Sequence, residues 1–184
     1  VPDGYPVVPF GSGTAAFVTS VADARQTGEA LLDGGADLLK LALETGTVFG
    51  RTIPVLSLDE ARMLVRVAHG RGTAASAHIT SAVDLDLALD AGVDDLAHIA
   101  VDRPLTPDEV DRVVLEDVYW VPTLELWECA GSLALALENL GRFVAGGGKV
   151  ALGTDYQGYT CNWDLGMPMT EIRLMADAGM TPMQ

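Results

Sequence analysis

The sequence predicts an α/β fold in which parallel strands alternate with helices, as in a barrel or a partial barrel. Three observations support this prediction. Five short apolar runs occur, and the stretches between them have helical periodicity with capping residues and glycines at their ends. Lys40, His78, His98 and Asp155 each stand at or near the end of one of these runs. Because the carboxyl ends of parallel strands carry the chemistry in such folds, these four residues form the candidate site.

Capping signals predict where the helices begin. Ser20 is a candidate N-cap, Ser57 with Glu60 matches a capping box, and Ser81 precedes a third helix. Thr106 is followed by a proline, whose missing N–H costs nothing in the first turn of a helix. The predicted helices cover about 21–34, 58–68, 82–91, 130–145 and 168–178, and another begins after Thr106.

The apolar runs predict strands that are buried on both faces, which is typical of parallel sheets covered by helices. They cover residues 37–42, 73–77, 93–97, 118–121 and 149–152. No G-x-G-x-x-G or Walker motif follows any of them, and the glycines at 146–148 precede a strand as a turn. The sequence therefore favours a barrel or partial barrel over a nucleotide-binding doubly wound sheet.

Length and composition indicate a single domain over residues 1–184, and the 49% of hydrophobic residues are enough for a core. The net charge of −15, with no basic patch, argues against nucleic acid as a partner. No apolar stretch is as long as a membrane span, and the first residues do not form a signal peptide. We therefore expect a cytoplasmic protein without a membrane partner.

Three side chains with metal-binding chemistry are expected to be structural. Cys129 and Cys161 lie far apart in the chain and fit neither a disulfide framework nor a zinc motif. We expect both cysteines to be packing residues in a reducing compartment. His69 stands near a predicted helix C-terminus, where a cation suits the helix dipole.

The four residues at the run ends suit a metal ion. The imidazoles of His78 and His98 and the carboxylate of Asp155 are ligands that zinc prefers. Lys40 stands among leucines, where an ammonium is costly to bury, and only two of the eleven basic residues are lysine. A lysine of lowered pKa can react with carbon dioxide to give a carbamate, which supplies two oxygen ligands. Taken alone, each residue also has a structural interpretation. A histidine can belong to the core, an aspartate can cap a helix, and a lysine can pack its stem while its ammonium reaches water.

Several ordered stretches carry a resemblance to a known family. They are GADLLK at 35–40, AHGRG at 68–72, AH at 77–78, AGVDDLAH at 91–98, VPTL at 121–124, LGTD at 152–155 and MTP at 180–182. Through them the chain resembles the metal-dependent amidohydrolase superfamily, and within it the imidazolonepropionase-like group that includes Xaa-Pro and Xaa-Arg dipeptidase-type enzymes. The resemblance implies a partial (β/α)8 TIM-type barrel that matches about the fourth to eighth strands.

The resemblance also implies an activity, namely hydrolysis of carbon–nitrogen bonds in amides, cyclic amides or dipeptides by a metal-bound hydroxide. Lys40 would be a carboxylated lysine that bridges two metals, and His78 and His98 would hold one of them. Asp155 would bind the other metal and act as the general base.

Two departures from the family pattern limit this expectation. The chain has no His-x-His pair like that of the family's first strand, and it lacks the C-terminal segment that leads to a small β-sandwich. We therefore expect at most one divalent metal, zinc, together with carbon dioxide for Lys40. The alternatives are a catalytically incomplete barrel fragment with residual metal binding, and an α/β binding module without a metal.

The expected partners follow from the same interpretation. The substrate would be a small amide or peptide, which contacts the loops after the strands. Candidates for those contacts are Arg51, Thr123, Trp127 and Tyr156. Five βα units leave unpaired strand edges, so we expect copies of the chain to associate through them.

Overall fold

The computed structural model describes residues 1–6, 15–156, 161 and 163–181. Within these residues, five parallel strands alternate with helices, as predicted. The helices are α1 (Val21–Asp33), α2 (Leu58–Gly70), α3 (Ala82–Ala91), α4 (Pro107–Leu115), α5 (Leu124–Ala130), α6 (Leu133–Ala145) and α7 (Met169–Asp177). The strands are β1 (Leu39–Ala42), β2 (Ala75–His78), β3 (Asp95–Ala97), β4 (Tyr119–Val121) and β5 (Lys149–Val150). None of the helices in the described residues is long and apolar enough to cross a membrane.

The first of two compact units covers Val1–Asp95. Its strands β1 and β2 pair in parallel, and Lys40 lies opposite Ser76. The amide of Asp94 donates to the carbonyl of Ala75 (2.9 Å), so the start of β3 lies next to β2. The core of this unit is aliphatic and includes Leu41, Leu43, Leu56, Ala77, Ile79 and Leu85.

The second compact unit covers Leu96–Gln184. The amide of His98 donates to the carbonyl of Val121 (3.0 Å), so the end of β3 lies next to β4. Strands β4 and β5 pair in parallel, with Tyr119 opposite Lys149. The core of this unit includes Leu96, Trp120, Leu124, Leu140 and Phe143. Pro182 lies outside the described residues. It ends the last of the stretches that carry the family resemblance.

Reciprocal capping bonds start three helices at the positions that the sequence predicts. In α2, the Ser57 hydroxyl accepts a hydrogen bond from the Glu60 amide, and the Glu60 carboxylate accepts one from the Ser57 amide. The same pair of bonds starts α3, from Ser81 and Asp84, and α4, from Thr106 and Glu109. These helix starts are encoded within four residues, which explains why the sequence predicts them.

Helix α5 is absent from the sequence-based prediction, which starts the next helix at about 130, whereas α6 begins at Leu133. Its N-cap residue, Thr123, has left-handed backbone angles (φ 53°, ψ 51°), and its side chain makes no capping hydrogen bond. Instead, the Glu171 carboxylate of α7 accepts hydrogen bonds from the amides of Leu124 (2.8 Å) and Glu125 (2.7 Å). A helix that is capped by a distant residue leaves no local signal in the sequence.

Cys129 and Cys161 form a disulfide, so the prediction of two unpaired packing cysteines is wrong. Their Cα atoms lie 5.8 Å apart, although 32 residues separate them along the chain. Sequence spacing does not reveal such a bond, because the fold has to bring the two residues together. Disulfides persist in oxidising compartments. The expectation of a reducing cytoplasm depends on unpaired cysteines, and the disulfide removes that reason.

Replacing both cysteines by serine should lower the free energy of unfolding by about 3–4 kcal/mol, because the unfolded chain regains the entropy that the cross-link removes. Urea denaturation followed by circular dichroism measures the change. The wild type in a dithiol reductant is the control and should lose the same stability. Equal unfolding midpoints for the oxidised wild type and the Cys129→Ser/Cys161→Ser variant would contradict the prediction.

Candidate functional site

Lys40 stands in β1 between Leu39 and Leu41. Because side chains alternate along a strand, the two leucines are buried while the side chain of Lys40 is exposed. The Lys40 ammonium donates to Ser76 Oγ on β2 (3.3 Å), and the Ser76 hydroxyl donates to Asp95 Oδ1. The expectation that Lys40 is buried is therefore wrong, since alternation gives this residue an open face.

His78 ends β2 on the same face as Ser76. Burial, and then the positive charge of Lys40, lowers the pKa of His78 to about 4. The imidazole is therefore neutral at pH 7, which is the form that binds a divalent metal. Two of the predicted ligands, Lys40 and His78, thus share one face of the β1–β2 pair.

Glu44 is a buried carboxylate beside His78 that the sequence analysis does not single out. It accepts hydrogen bonds from the Thr80 hydroxyl and the Gly46 amide, and its Oε2 lies 3.8 Å from His78 Nε2. Burial raises the pKa of Glu44. At 3.8 Å the contact is too long for a hydrogen bond, so Glu44 is a buried neighbour of His78. Its signal in the sequence is an acidic residue two positions beyond an apolar strand.

Asp84 ties the loop after β1 to the start of α3. It is fully buried and accepts hydrogen bonds from the amide and hydroxyl of Thr45 (3.0 and 2.6 Å). It also accepts from the amides of Thr80 (3.1 Å) and Ser81 (2.9 Å). One buried carboxylate therefore fixes the loop that follows His78 and the loop that follows β1.

His98 directly follows β3, and its backbone is bonded to β4. Its amide donates to the Val121 carbonyl (3.0 Å), and Trp120 Nε1 donates to its carbonyl (2.7 Å). Its Nδ1 lies 2.8 Å from Thr123 Oγ1, and its ring meets the Trp127 ring edge-on at 6.3 Å. A threonine hydroxyl can donate to Nδ1 or accept from it, so this bond holds the orientation of the ring whichever nitrogen carries the proton.

Asp155 lies beyond β5 with left-handed backbone geometry (φ 55°) and an exposed side chain. The segment before it runs close to β4, since a Cβ at Gly153 would meet the Val121 side chain at 2.5 Å. Glycine at this position lets the chain approach β4 just before Asp155. Tyr156, a predicted substrate contact, is exposed and packs edge-on against Trp163 at 5.9 Å.

The other predicted substrate contacts have different surroundings. The guanidinium of Arg51 lies 5.7 Å from the centre of the Phe49 ring. Thr123 and Trp127 are both buried, and both lie against the His98 ring. The indole Nε1 of Trp127 is also buried and has no hydrogen-bond partner among the described residues. Thr123 and Trp127 are therefore brought next to a predicted metal ligand.

The predicted ligands are divided between the compact units, with Lys40 and His78 in the first and His98 and Asp155 in the second. Within the part of the chain that the structure describes, no group of three or more His, Cys, Asp or Glu side chains is placed to hold a metal ion. His69 lies in the last turn of α2, and its Nε2 is 3.0 Å from a carboxylate oxygen of Asp94. This partly exposed pair agrees with the structural role expected for His69.

Glu171 is a second buried carboxylate that the sequence analysis does not single out. Burial raises its pKa to about 7, with a further contribution from Glu125, although the two amide donors of α5 oppose the shift. Glu125 in α5 is also buried and accepts a hydrogen bond from the Asp164 amide (3.0 Å). Asp164 in turn accepts one from the Thr170 amide (2.5 Å) at the start of α7. Buried and partly buried carboxylates therefore tie α5 to α7.

No protein-family profile matches the chain, and no curated protein matches it in sequence. Solved structures do match its fold. An amidohydrolase is 24% identical at a TM-score of 0.73, over 89% of this chain and 43% of that one. The A. niger ochratoxinase is 19% identical at a TM-score of 0.77, over 97% of this chain and 44% of that one. A Xaa-Pro dipeptidase with bound methionine is 19% identical at a TM-score of 0.76, over 97% and 50%.

These likenesses confirm the predicted resemblance at the level of the fold. The chain has the architecture of part of an amidohydrolase, and of part of a Xaa-Pro dipeptidase. It spans half or less of the length of each of these neighbours. A shared fold alone does not assign a reaction, so activity has to be argued from the site.

The stability of the wild type relative to Glu171→Gln should fall as the pH rises from about 4.5 to about 7. Burial keeps Glu171 protonated in the folded chain where the unfolded chain has lost that proton, so the folded state binds more protons in this window. This stabilising contribution is complete below the lower pH and absent above the upper one. Urea denaturation of both proteins on either side of the window measures it, and a difference that does not vary with pH would contradict the prediction.

Proposed function

We propose that the chain is part of a metal-dependent hydrolase that cleaves carbon–nitrogen bonds in amides, cyclic amides or dipeptides. The observation that carries the proposal is the position of His78 and His98. They end β2 and follow β3, within a fold shared with an amidohydrolase and a Xaa-Pro dipeptidase. Side chains at the carboxyl ends of consecutive parallel strands are the usual source of active-site groups in such folds.

The proposed cofactor is one divalent ion, zinc, with His78, His98 and a carboxylated Lys40 as its ligands. In support, His78 is neutral at pH 7, and His98 has a hydroxyl partner at Nδ1. Lys40 lies on the same face of the β1–β2 pair as His78, so the two proposed ligands lie on one side of the sheet. When bound, such an ion polarises a carbonyl group and makes water more acidic.

Asp155 is the proposed general base, which takes a proton from the attacking water and passes it to the leaving nitrogen. Its exposed position allows it to meet a substrate. The buried indole N–H of Trp127 offers a donor that a substrate oxygen would satisfy. Arg51 and Tyr156 are exposed, which suits contacts to a carboxylate or side chain of a small amide or peptide.

A second candidate is a barrel fragment that keeps metal binding without activity. It is favoured by the absence, within the described residues, of three His, Cys, Asp or Glu side chains placed around one point. Metal binding without hydrolysis would identify it.

Under either candidate we propose that copies associate along β1 or β5, the terminal strands in the strand order. The cytoplasm stays a prediction, and the disulfide argues against it.

Zinc titration of the purified chain in bicarbonate buffer tests the proposal, with metal content read by mass spectrometry. We expect at most one zinc per wild-type chain. Loss of a residue that supports a ligand weakens metal binding by about 10–100-fold. We expect His78→Asn, which removes a proposed ligand, to weaken zinc binding by more than that. His69→Asn is the matched control and should bind as the wild type does, because His69 pairs with Asp94 on the surface. A wild type that takes up no zinc above background would contradict the proposal.

A further inference from the structure

The backbone of His98 and its ring are held by different elements. The backbone is bonded to β4 through Val121 and Trp120. The ring is held by the Thr123 hydroxyl, 2.8 Å from Nδ1, and by the edge-on contact with Trp127 of α5. The orientation of the imidazole therefore depends on where α5 and its N-cap residue, Thr123, lie.

Thr123 occupies the N-cap of α5 without performing the task of an N-cap residue. An N-cap threonine normally has an extended backbone, and its hydroxyl accepts a hydrogen bond from an amide of the first turn. Thr123 has a left-handed backbone (φ 53°), which is unfavourable for a β-branched residue. Its hydroxyl is bonded to His98 instead of to the helix. The first amides of α5 therefore need another acceptor.

Glu171 supplies that acceptor from α7. Its two carboxylate oxygens accept from the amides of Leu124 (2.8 Å) and Glu125 (2.7 Å), the first two residues of α5. A negative charge suits a helix N-terminus, but a fully buried carboxylate is an unfavourable cap when a hydroxyl already stands at the N-cap position. The arrangement makes sense if the Thr123 hydroxyl is needed elsewhere, and it is bonded to His98.

We infer that Glu171 is a positioning residue for His98: by capping α5 from α7, it leaves the Thr123 hydroxyl to hold the imidazole in one orientation. The inference rests on the proposed role of His98 as a metal ligand, because a ligand has to present a defined nitrogen. Glu171 acts through α5 and Thr123 rather than on substrate or metal.

The ratio of chains with and without a hydrogen bond at His98 Nδ1 tests this inference. Nitrogen-15 NMR of the labelled imidazole in the metal-free full chain measures it, at a pH above about 7, where Glu171 is ionised. In Glu171→Gln an α5 amide loses its acceptor, and Thr123 moves with the helix. The ratio should change about tenfold, which equals one hydrogen bond of ~1.4 kcal/mol. Thr123→Val should change it by as much, and adding Glu171→Gln to that variant should change it no further, because both act on one bond.

Glu125→Gln is the matched control. Glu125 lies in the same helix, is buried, and accepts a backbone hydrogen bond, but that bond comes from Asp164 and does not cap α5. This variant should keep the wild-type ratio. An equal change in Glu125→Gln would overturn the inference, since general loosening of α5 would then explain the effect.

An unchanged ratio in folded Glu171→Gln would also overturn the inference. If that variant does not fold, Glu171→Asp is measured in its place, because it keeps the carboxylate but shortens its reach. We then expect an intermediate change, and a wild-type ratio would overturn the inference.

Zinc affinity of the same variants separates the positioning role from the proposed function. Binding by the wild type, with about 10–100-fold weaker binding by Glu171→Gln, would support both. A wild type that binds no zinc would contradict the proposed function alone, because the hydrogen-bond ratio is measured without metal. Wild-type zinc affinity in Glu171→Gln would overturn the positioning role and leave the proposed function standing.

Discussion

Parallel pairing of short strands is the constraint on which the rest of the structure depends. A parallel strand cannot return through a tight turn, so the chain crosses back through a helix between successive strands. Residues that follow neighbouring strands then lie at the same edge of the sheet within each unit. The positions of His78, His98 and Asp155 follow from this topology rather than from any local preference of their own.

Features with local signals are the ones that the sequence predicts. Capping patterns at Ser57, Ser81 and Thr106 lie within four residues, and the helices begin where these patterns predict. Helix α5 has no such pattern, because its cap is Glu171, 47 residues from Leu124. The disulfide escapes prediction for the same reason, since its partners meet only in the folded chain.

The candidate ligands are predictable from their positions, but their surroundings are not. Lys40 stands between two leucines in sequence and yet is exposed, because alternation separates the two faces of β1. Glu44, Asp84 and Glu171 are buried, although acidic side chains rarely are. Amide and hydroxyl donors stabilise each of them, and several of these donors come from distant parts of the chain. Such networks depend on tertiary contacts that no spacing in the sequence reveals.

Two of these buried carboxylates belong to the surroundings of the predicted histidine ligands. Glu44 lies beside His78, and Glu171 caps α5, whose N-cap residue Thr123 is bonded to His98. We infer that Glu171 acts on the ring of His98 through this helix. Supporting residues of this kind fix which nitrogen of an imidazole is presented to a metal, which a ligand count alone does not describe.

Turnover of an Xaa-Pro dipeptide by the zinc-loaded chain, with and without Asp155→Asn, tests the central claim most directly. The substitution removes the general base and keeps the size of the side chain. The account predicts that turnover falls by about 10²–10⁴-fold while the zinc content is unchanged. Equal turnover by the two proteins, or no turnover by the zinc-loaded wild type, would contradict it.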